Sequence, residues 1–190
     1  MCFKKGKVII ISAPSGSGKT TITRFLLSQN LNLHFSVSAC SREKRPNELD
    51  GVDYHFIGIN KFKEKLKKNE FLEWEEVYKD SFYGTLREDV MSKLDSGKNI
   101  IFDIDVKGAL SLKRIFKNQS LTVYINVPEK IIEKRLRDRK TEVEKDIVNR
   151  LIKVKEEKML MPHFDNVVVN LDLEKLKTEI LLCVKEFLKK

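Results

Sequence analysis

Gly18, Lys19 and Thr20 follow Ala13, Pro14, Ser15, Gly16 and Ser17, directly behind the apolar run Val8 to Ile11. Glycines, a lysine and a small hydroxyl in this order suit one task, holding a polyphosphate. Glycine lets successive backbone N–H groups come close to an anion. Lys19 then reaches the β- and γ-phosphates, and Thr20 ligates Mg²⁺. Ile22, Phe25 and Leu26 recur at helical spacing behind them, so a helix N-terminus with its partial positive charge points at the same anion. Ala13 stands where the G-x-x-x-x-G-K-[ST] pattern has its first glycine. The P-loop reading therefore rests on the strand before the turn and the helix after it.

Arg42 and Arg45 lie three residues apart beside Pro46. Planar, bidentate guanidinium groups suit a phosphate clamp, with the Tyr54 and Tyr83 hydroxyls as helpers; the alternative is a solvated basic loop. Asp103 and Asp105 end the apolar run Ile100 to Phe102, and share a face if the strand continues. Carboxylates at a strand's carboxyl end can accept from a base or orient hydrated Mg²⁺, while Asp105 can instead cap the next helix. Arg135 and Arg139 fall at i, i+4 on a charged helical stretch that also carries Arg150. Salt bridges to Glu133, Glu142 and Glu144 are the ordinary fate of such a run.

Short, nearly continuous apolar runs at 8–11, 100–102, 121–127 and 167–169 fit buried parallel strands. Helical patterns at 20–28, 88–94, 109–116 and 173–187 alternate with them, as an open parallel sheet flanked by helices requires. The expected organisation is one α/β domain over 1–190. Its core comprises 1–35, 96–127 and 161–190, with an inserted α+β lobe over 36–95 and a helical lid over 128–160. Turn signals at Arg45-Pro46-Asn47 and Leu49-Asp50-Gly51 mark the lobe.

The 190 residues are 41% hydrophobic and 34% charged, a globular composition without a stretch of the ~20 apolar residues that cross a bilayer. No membrane partner and no signal peptide are expected, which places the protein in the cytoplasm. Cys2, Cys40 and Cys183 show no C-x-x-C pattern, and His34, His55 and His163 are scattered, so neither a disulfide framework nor a zinc site is indicated. The net charge of +9 is carried largely by lysines spread along helices rather than gathered in a stripe with aromatics, and no nucleic-acid partner is expected.

Phe35-Ser36-Val37-Ser38 through Arg42, Arg45 and Pro46, then Gly51-Val52-Asp53-Tyr54, Glu70-Phe71-Leu72-Glu73-Trp74, Tyr83-Gly84-Thr85 and Asp103-Ile104-Asp105 occur in this order. With the P-loop, these segments resemble the guanylate kinase family, bacterial type, over nearly the whole chain. The resemblance implies a P-loop kinase that transfers the γ-phosphoryl group of Mg-ATP to GMP, and to dGMP, in purine nucleotide metabolism. It implies that Arg42, Arg45, Tyr54 and Tyr83 hold the GMP phosphate, with Ser38, Glu73, Thr85, Asp103 and Asp105 around the guanine. It also implies that Arg135, Arg139 and Arg150 bridge the two nucleotides under a closing lid, and that Asn170 lies at the adenine. Chemistry supports Glu73 independently, because an ionised carboxylate accepts both N1–H and N2–H₂ of guanine, a donor pair that adenine lacks. Lys107, Lys140 and Leu171 depart from the usual Gln, Gly and Asp. The rival readings are a guanylate-kinase-like interaction module, disfavoured by Lys19 and the lid arginines, and a nucleic-acid-dependent ATPase, disfavoured by the acceptor lobe. A monomer or homodimer is expected.

Overall fold

Val8, Ile9, Ile10 and Ile11 are wholly buried, which is what an uninterrupted β-branched run needs if both its faces are to be covered. In the computed structural model, which describes residues 5–14, 17–138 and 144–190, they form β1 (Val8–Ser12). Among the described residues, β1 belongs to a five-stranded sheet with β2 (Leu33–Phe35), β7 (Asn99–Ile104), β8 (Ser120–Asn126) and β9 (Asn166–Val169), in the order β2-β7-β1-β8-β9. The pairs β1/β8 and β8/β9 are parallel. The associated helices are α1 (Lys19–Leu27), α4 (Val106–Phe116), α5 (Glu129–Asp138), α6 (Glu144–Met159) and α7 (Leu173–Lys189). Asp172 caps α7 by accepting from the N–H groups of Glu174 and Lys175, satisfying two donors that a helix start leaves open.

A second sheet has the order β4-β3-β6-β5, built from β3 (Ala39–Cys40), β4 (His55–Phe56), β5 (Phe71–Tyr78) and β6 (Ser81–Leu86), with helices α2 (Gly58–Lys67) and α3 (Arg87–Asp95). Ala39, Phe62, Phe71 and Phe82 form its core, with Ile57, Ile59, Leu66 and Leu86 against them. Phe62 of α2 stacks on Phe71 at 4.4 Å between ring centroids, a distance at which an aromatic pair adds to plain burial. The described residues divide into two compact units, drawn from Met1–Lys7 with His34–Ile100 and from Val8–Leu33 with Ile101–Lys190. No described helix is long and apolar enough to cross a membrane.

The α/β architecture with a parallel sheet flanked by helices is as expected. One local reading changes. Strand β7 ends at Ile104, so Asp105 does not share a strand face with Asp103; it is the N-cap of α4, accepting from the Gly108 N–H at 3.0 Å. In the inserted lobe, β5 runs from Phe71 to Tyr78 and is folded back on β6 as an antiparallel hairpin.

Candidate active site

The donor end is built where β1 and β7 finish. Gly18 adopts φ +89°, a left-handed conformation that costs glycine nothing, and α1 starts at the next residue. That places the Lys19 ammonium between the Asp103 carboxylate, with Nζ 3.0 Å from Oδ1, and the Ile104 carbonyl oxygen, also at 3.0 Å. The Thr20 hydroxyl donates to the other Asp103 oxygen at 3.0 Å. One carboxylate thus holds both the lysine and the hydroxyl of the loop in register. Asn170, 3% exposed, donates from its side-chain amide to the Ser17 carbonyl at 2.8 Å. Ala13 and Pro14 lead into the turn, whereas Ser15 and Gly16 lie outside the described residues.

Glu157 of α6 joins this end of the molecule without having been marked by the sequence. Its side chain is 12% exposed, and the Lys153 ammonium is 4.0 Å away. Burial pushes its carboxyl above the ordinary range, the negative charges of Asp105 and Glu156 act in the same sense, and Lys153 and Lys19 oppose them. The fold therefore favours the neutral acid, and its contribution to stability fades as pH rises from the unfolded value of about 4.3 through the raised folded value. Glu157→Gln, which cannot ionise, is expected to raise the denaturant midpoint at pH 8 and to leave it unchanged at pH 4. Equal shifts at both pH values would show that the carboxyl titrates normally.

The acceptor cluster follows from strand register. Opposed residues of an antiparallel pair present their side chains on the same face, and β5 opposes β6 through Glu73 with Thr85 and Glu75 with Tyr83. A bulge between Phe71 and Glu73 sets this up, because Phe71 opposes Leu86 while Glu73 opposes Thr85. Residues two apart would otherwise share a face. The extra residue lets Phe71 enter the aromatic core while Glu73 turns to the opposite side, a common use of bulges beside functional sites. Thr85, wholly buried, donates its hydroxyl proton to Glu73 Oε1 at 2.6 Å.

On β3, Cys40 lies across from Tyr83, and the chain then carries Arg42 to the same tyrosine. Arg42 Nε donates to the Tyr83 hydroxyl at 3.0 Å, and its two terminal nitrogens donate to Glu48 at 2.7 and 2.6 Å. The guanidinium lies 5.2 Å from the Tyr54 ring centroid and 5.3 Å from that of Phe56. Arg42, Tyr54 and Tyr83 are thereby brought together as expected of a phosphate clamp. Arg45 has an exposed side chain, and its backbone N–H donates to Glu48 at 3.0 Å. Ser38 fixes the neighbouring strand through its carbonyl, which accepts from the His55 N–H at 2.9 Å.

Glu48 is the residue that sequence reasoning missed here. The hydrogen bonds from Arg42, and then that from the Arg45 N–H, hold its carboxyl down at about 2, so it remains a carboxylate that aligns the guanidinium fork. An acid three residues after Arg45 in an arginine-rich turn was the available signal.

Close packing also constrains this sheet. A Cβ added to Gly84 would come within 2.9 Å of the Glu73 carbonyl oxygen, Phe71 Cδ1 and Trp74 Cβ. Two of those atoms sit on or beside backbone and cannot swing away. Gly84→Ala is expected to destabilise the protein by about 1–3 kcal/mol, as overpacking does, measured as a lowered denaturant midpoint. An unchanged midpoint would mean that the two strands part without cost.

A family model described as guanylate kinase matches residues 5–190. The chain belongs to the guanylate kinase family. A guanylate kinase of Bacteroides thetaiotaomicron is 47% identical over 186 residues, which cover 97% of this chain and 91% of that protein. A guanylate kinase of Thermotoga maritima is 43% identical over 171 residues, covering 90% and 82% respectively. The crystal structure of guanylate kinase from Anaplasma phagocytophilum matches with a TM-score of 0.79 and 25% identity, covering all of this chain and 90% of that one.

In this member of the family, Arg135 lies on α5 and Arg150 on α6, both half-buried. Arg139 and Lys140 fall outside the described residues. Arg137, which the family pattern does not single out, is an ordinary exposed partner of Glu133 at i, i+4, with a 3.0 Å contact. Leu171 is 69% exposed, so the departure from Asp at that position leaves an apolar side chain on the surface. Among the described residues no group of three or more His, Cys, Asp or Glu could hold a metal ion.

Proposed function

We propose that the chain is an ATP:GMP phosphotransferase that moves the γ-phosphoryl group of Mg-bound ATP to GMP, and to dGMP, giving ADP and GDP or dGDP. The observation that carries this reading is the shared face of β5 and β6. Tyr83, which orients Arg42, and Thr85, which orients Glu73, are two residues apart on one strand, about 7 Å. Side chains that splay from those positions bracket a nucleoside monophosphate, with arginine at its phosphate and a carboxylate at its base edge. None of these groups addresses the ribose 2′-hydroxyl, which is why dGMP is included.

No protein base is needed for the transfer. The GMP phosphate has a second pKa of ~6, so near neutrality an ionised oxygen attacks the γ-phosphorus directly. A new P–O bond forms as the bond to the ADP oxygen breaks, and ADP leaves with that electron pair. Lys19 neutralises charge on the transferring group, and Arg135, Arg139 and Arg150 carry it between the nucleotides. Thr20 and Asp103 offer only oxygen atoms, the donor type that Mg²⁺ prefers while keeping several waters, and their 3.0 Å pairing puts both on one small volume. When bound there, the ion would neutralise the β- and γ-phosphate oxygens. We further assign the activity to cytoplasmic purine nucleotide metabolism, in a monomer or homodimer.

The test is ATP-dependent phosphorylation of GMP, dGMP, AMP, CMP and UMP. GMP and dGMP are expected to be strongly preferred. Turnover of AMP but not GMP would overturn the reading.

A further inference from the structure

We propose that Asn170 is a positioning residue for the phosphate loop: by holding the Ser17 carbonyl, its side-chain amide aims the Gly18 N–H at the donor nucleotide's phosphates. The inference rests on the reading of the loop as the ATP site. It departs from the expectation that Asn170 reads the adenine ring.

Asn170 follows the last residue of β9, and its backbone N–H donates to the Asn126 carbonyl at 2.8 Å, so the side chain springs from the end of a sheet ladder. A donor anchored on a strand is placed more firmly than one on a loop. Its amide nitrogen donates to the Ser17 carbonyl at 2.8 Å. In a planar trans peptide the C=O and the following N–H point in opposite directions. Fixing the Ser17 carbonyl therefore fixes the Gly18 N–H on the far side of the same peptide plane.

The other side of Gly18 is fixed as well, since its own carbonyl accepts from the Ile22 N–H at 3.2 Å as α1 begins. A Cβ at Gly18 would stand 3.2 Å from the Asn170 amide nitrogen, so the asparagine packs directly against the glycine it orients. Ser17 is 1% exposed, and a carbonyl buried without its partner is costly. Without Asn170, rotation of the 17–18 peptide would let that carbonyl find another donor, turning the Gly18 N–H away from the anion.

The commitment of the amide nitrogen to Ser17 and the 3% exposure of Asn170 put its main work in the loop; its Oδ1 still has acceptor capacity, so only the tripolyphosphate readout below separates the two roles.

The experiment measures KM for ATP, KM for GMP and the inhibition constant of inorganic tripolyphosphate in the full chain. The variants are Asn170→Asp, isosteric but without the donor, Asn170→Ser, and Asn170→Ala. Tripolyphosphate occupies the loop without a base. The ATP KM and the tripolyphosphate constant are expected to rise together by about tenfold, the scale of one hydrogen bond to a buried group, with the GMP KM unchanged within about twofold. A weakened ATP KM with unaltered tripolyphosphate binding would restore the adenine role and overturn the proposal. Unchanged values for both would overturn it too, as would loss of folding in all three variants, because a loop-positioning role leaves the rest of the chain intact. A wild-type chain that fails to phosphorylate GMP would instead defeat the functional reading on which the proposal stands.

Discussion

Lys19→Met is expected to lower kcat for GMP phosphorylation by roughly 10²–10³-fold, the loss typical when a preorganised donor to transition-state charge is removed. Methionine keeps the length and the apolar stem of the side chain and removes only the ammonium. That ammonium is shared between Asp103 and the Ile104 carbonyl, so the substitution also strips a partner from a carboxylate whose side chain is 12% exposed. A buried acceptor left short of a donor costs about 1–3 kcal/mol. The two effects separate in the double variant Lys19→Met/Asp103→Asn, which is expected to recover the denaturant midpoint and none of the rate. Less than a tenfold loss of kcat in Lys19→Met would remove the lysine from the transfer step.

Glu73→Gln is the second large effect, and it falls on selectivity. The glutamine carbonyl can still accept the Thr85 hydroxyl that now reaches Glu73 Oε1 at 2.6 Å, so the side chain stays where it is and stability changes little. The other half of its head, however, becomes an NH₂ group facing the N1–H and N2–H₂ of guanine, donor against donor. Sites built around a matched polar edge reject a mismatched one by orders of magnitude, and a fall of roughly 10²-fold in kcat/KM for GMP is expected. The kcat/KM for AMP should change far less, compressing the ratio between the two substrates. Equal losses on GMP and AMP would mean that Glu73 supports the lobe without reading the base.

The parts of this molecule that were legible without coordinates are those whose cause is local. Strands buried on both faces show up as unbroken apolar runs, which is why β1, β7 and β8 could be placed from residue types alone; β9, expected to be buried as well, instead leaves Val167 and Val169 exposed. Lys19 and Thr20 were legible for the same reason, their spacing being the geometry of one turn. The acceptor cluster was legible only through family resemblance. The partnerships of Arg42 with Tyr83 and Glu73 with Thr85 span 41 and 12 residues and depend on strand register, which neighbouring residues do not encode. Asp105 could be read as a ligand or as a cap, and it does cap α4, which begins once β7 has ended at Ile104. Glu157 was hidden for a different reason. In the sequence it is one acid in the charged run Lys155 to Lys158, and its burial, within electrostatic reach of Asp105 and Lys19, is what sets it apart.

The bulge at the start of β5 bears on how the lobe tolerates changes in chain length. Removing one residue from a strand ordinarily inverts every side chain beyond the gap. Two residues of this hairpin are exceptions, Leu72 and also Val77, because Glu76 opposes Phe82 while Tyr78 opposes Ser81. Leu72 makes the count two against one at the start of the strand, with Phe71 already opposite Leu86 and Glu73 already opposite Thr85. Deleting Leu72 would straighten the strand and sacrifice a side chain that is 7% exposed, yet leave the glutamate facing its threonine. A deletion at Trp74 would instead carry Glu73 out of line with Tyr83 and Thr85. Shortening of this strand is thus expected to spare the proposed guanine contact at these two positions, and a set of single-residue deletions scanned along β5 would find them.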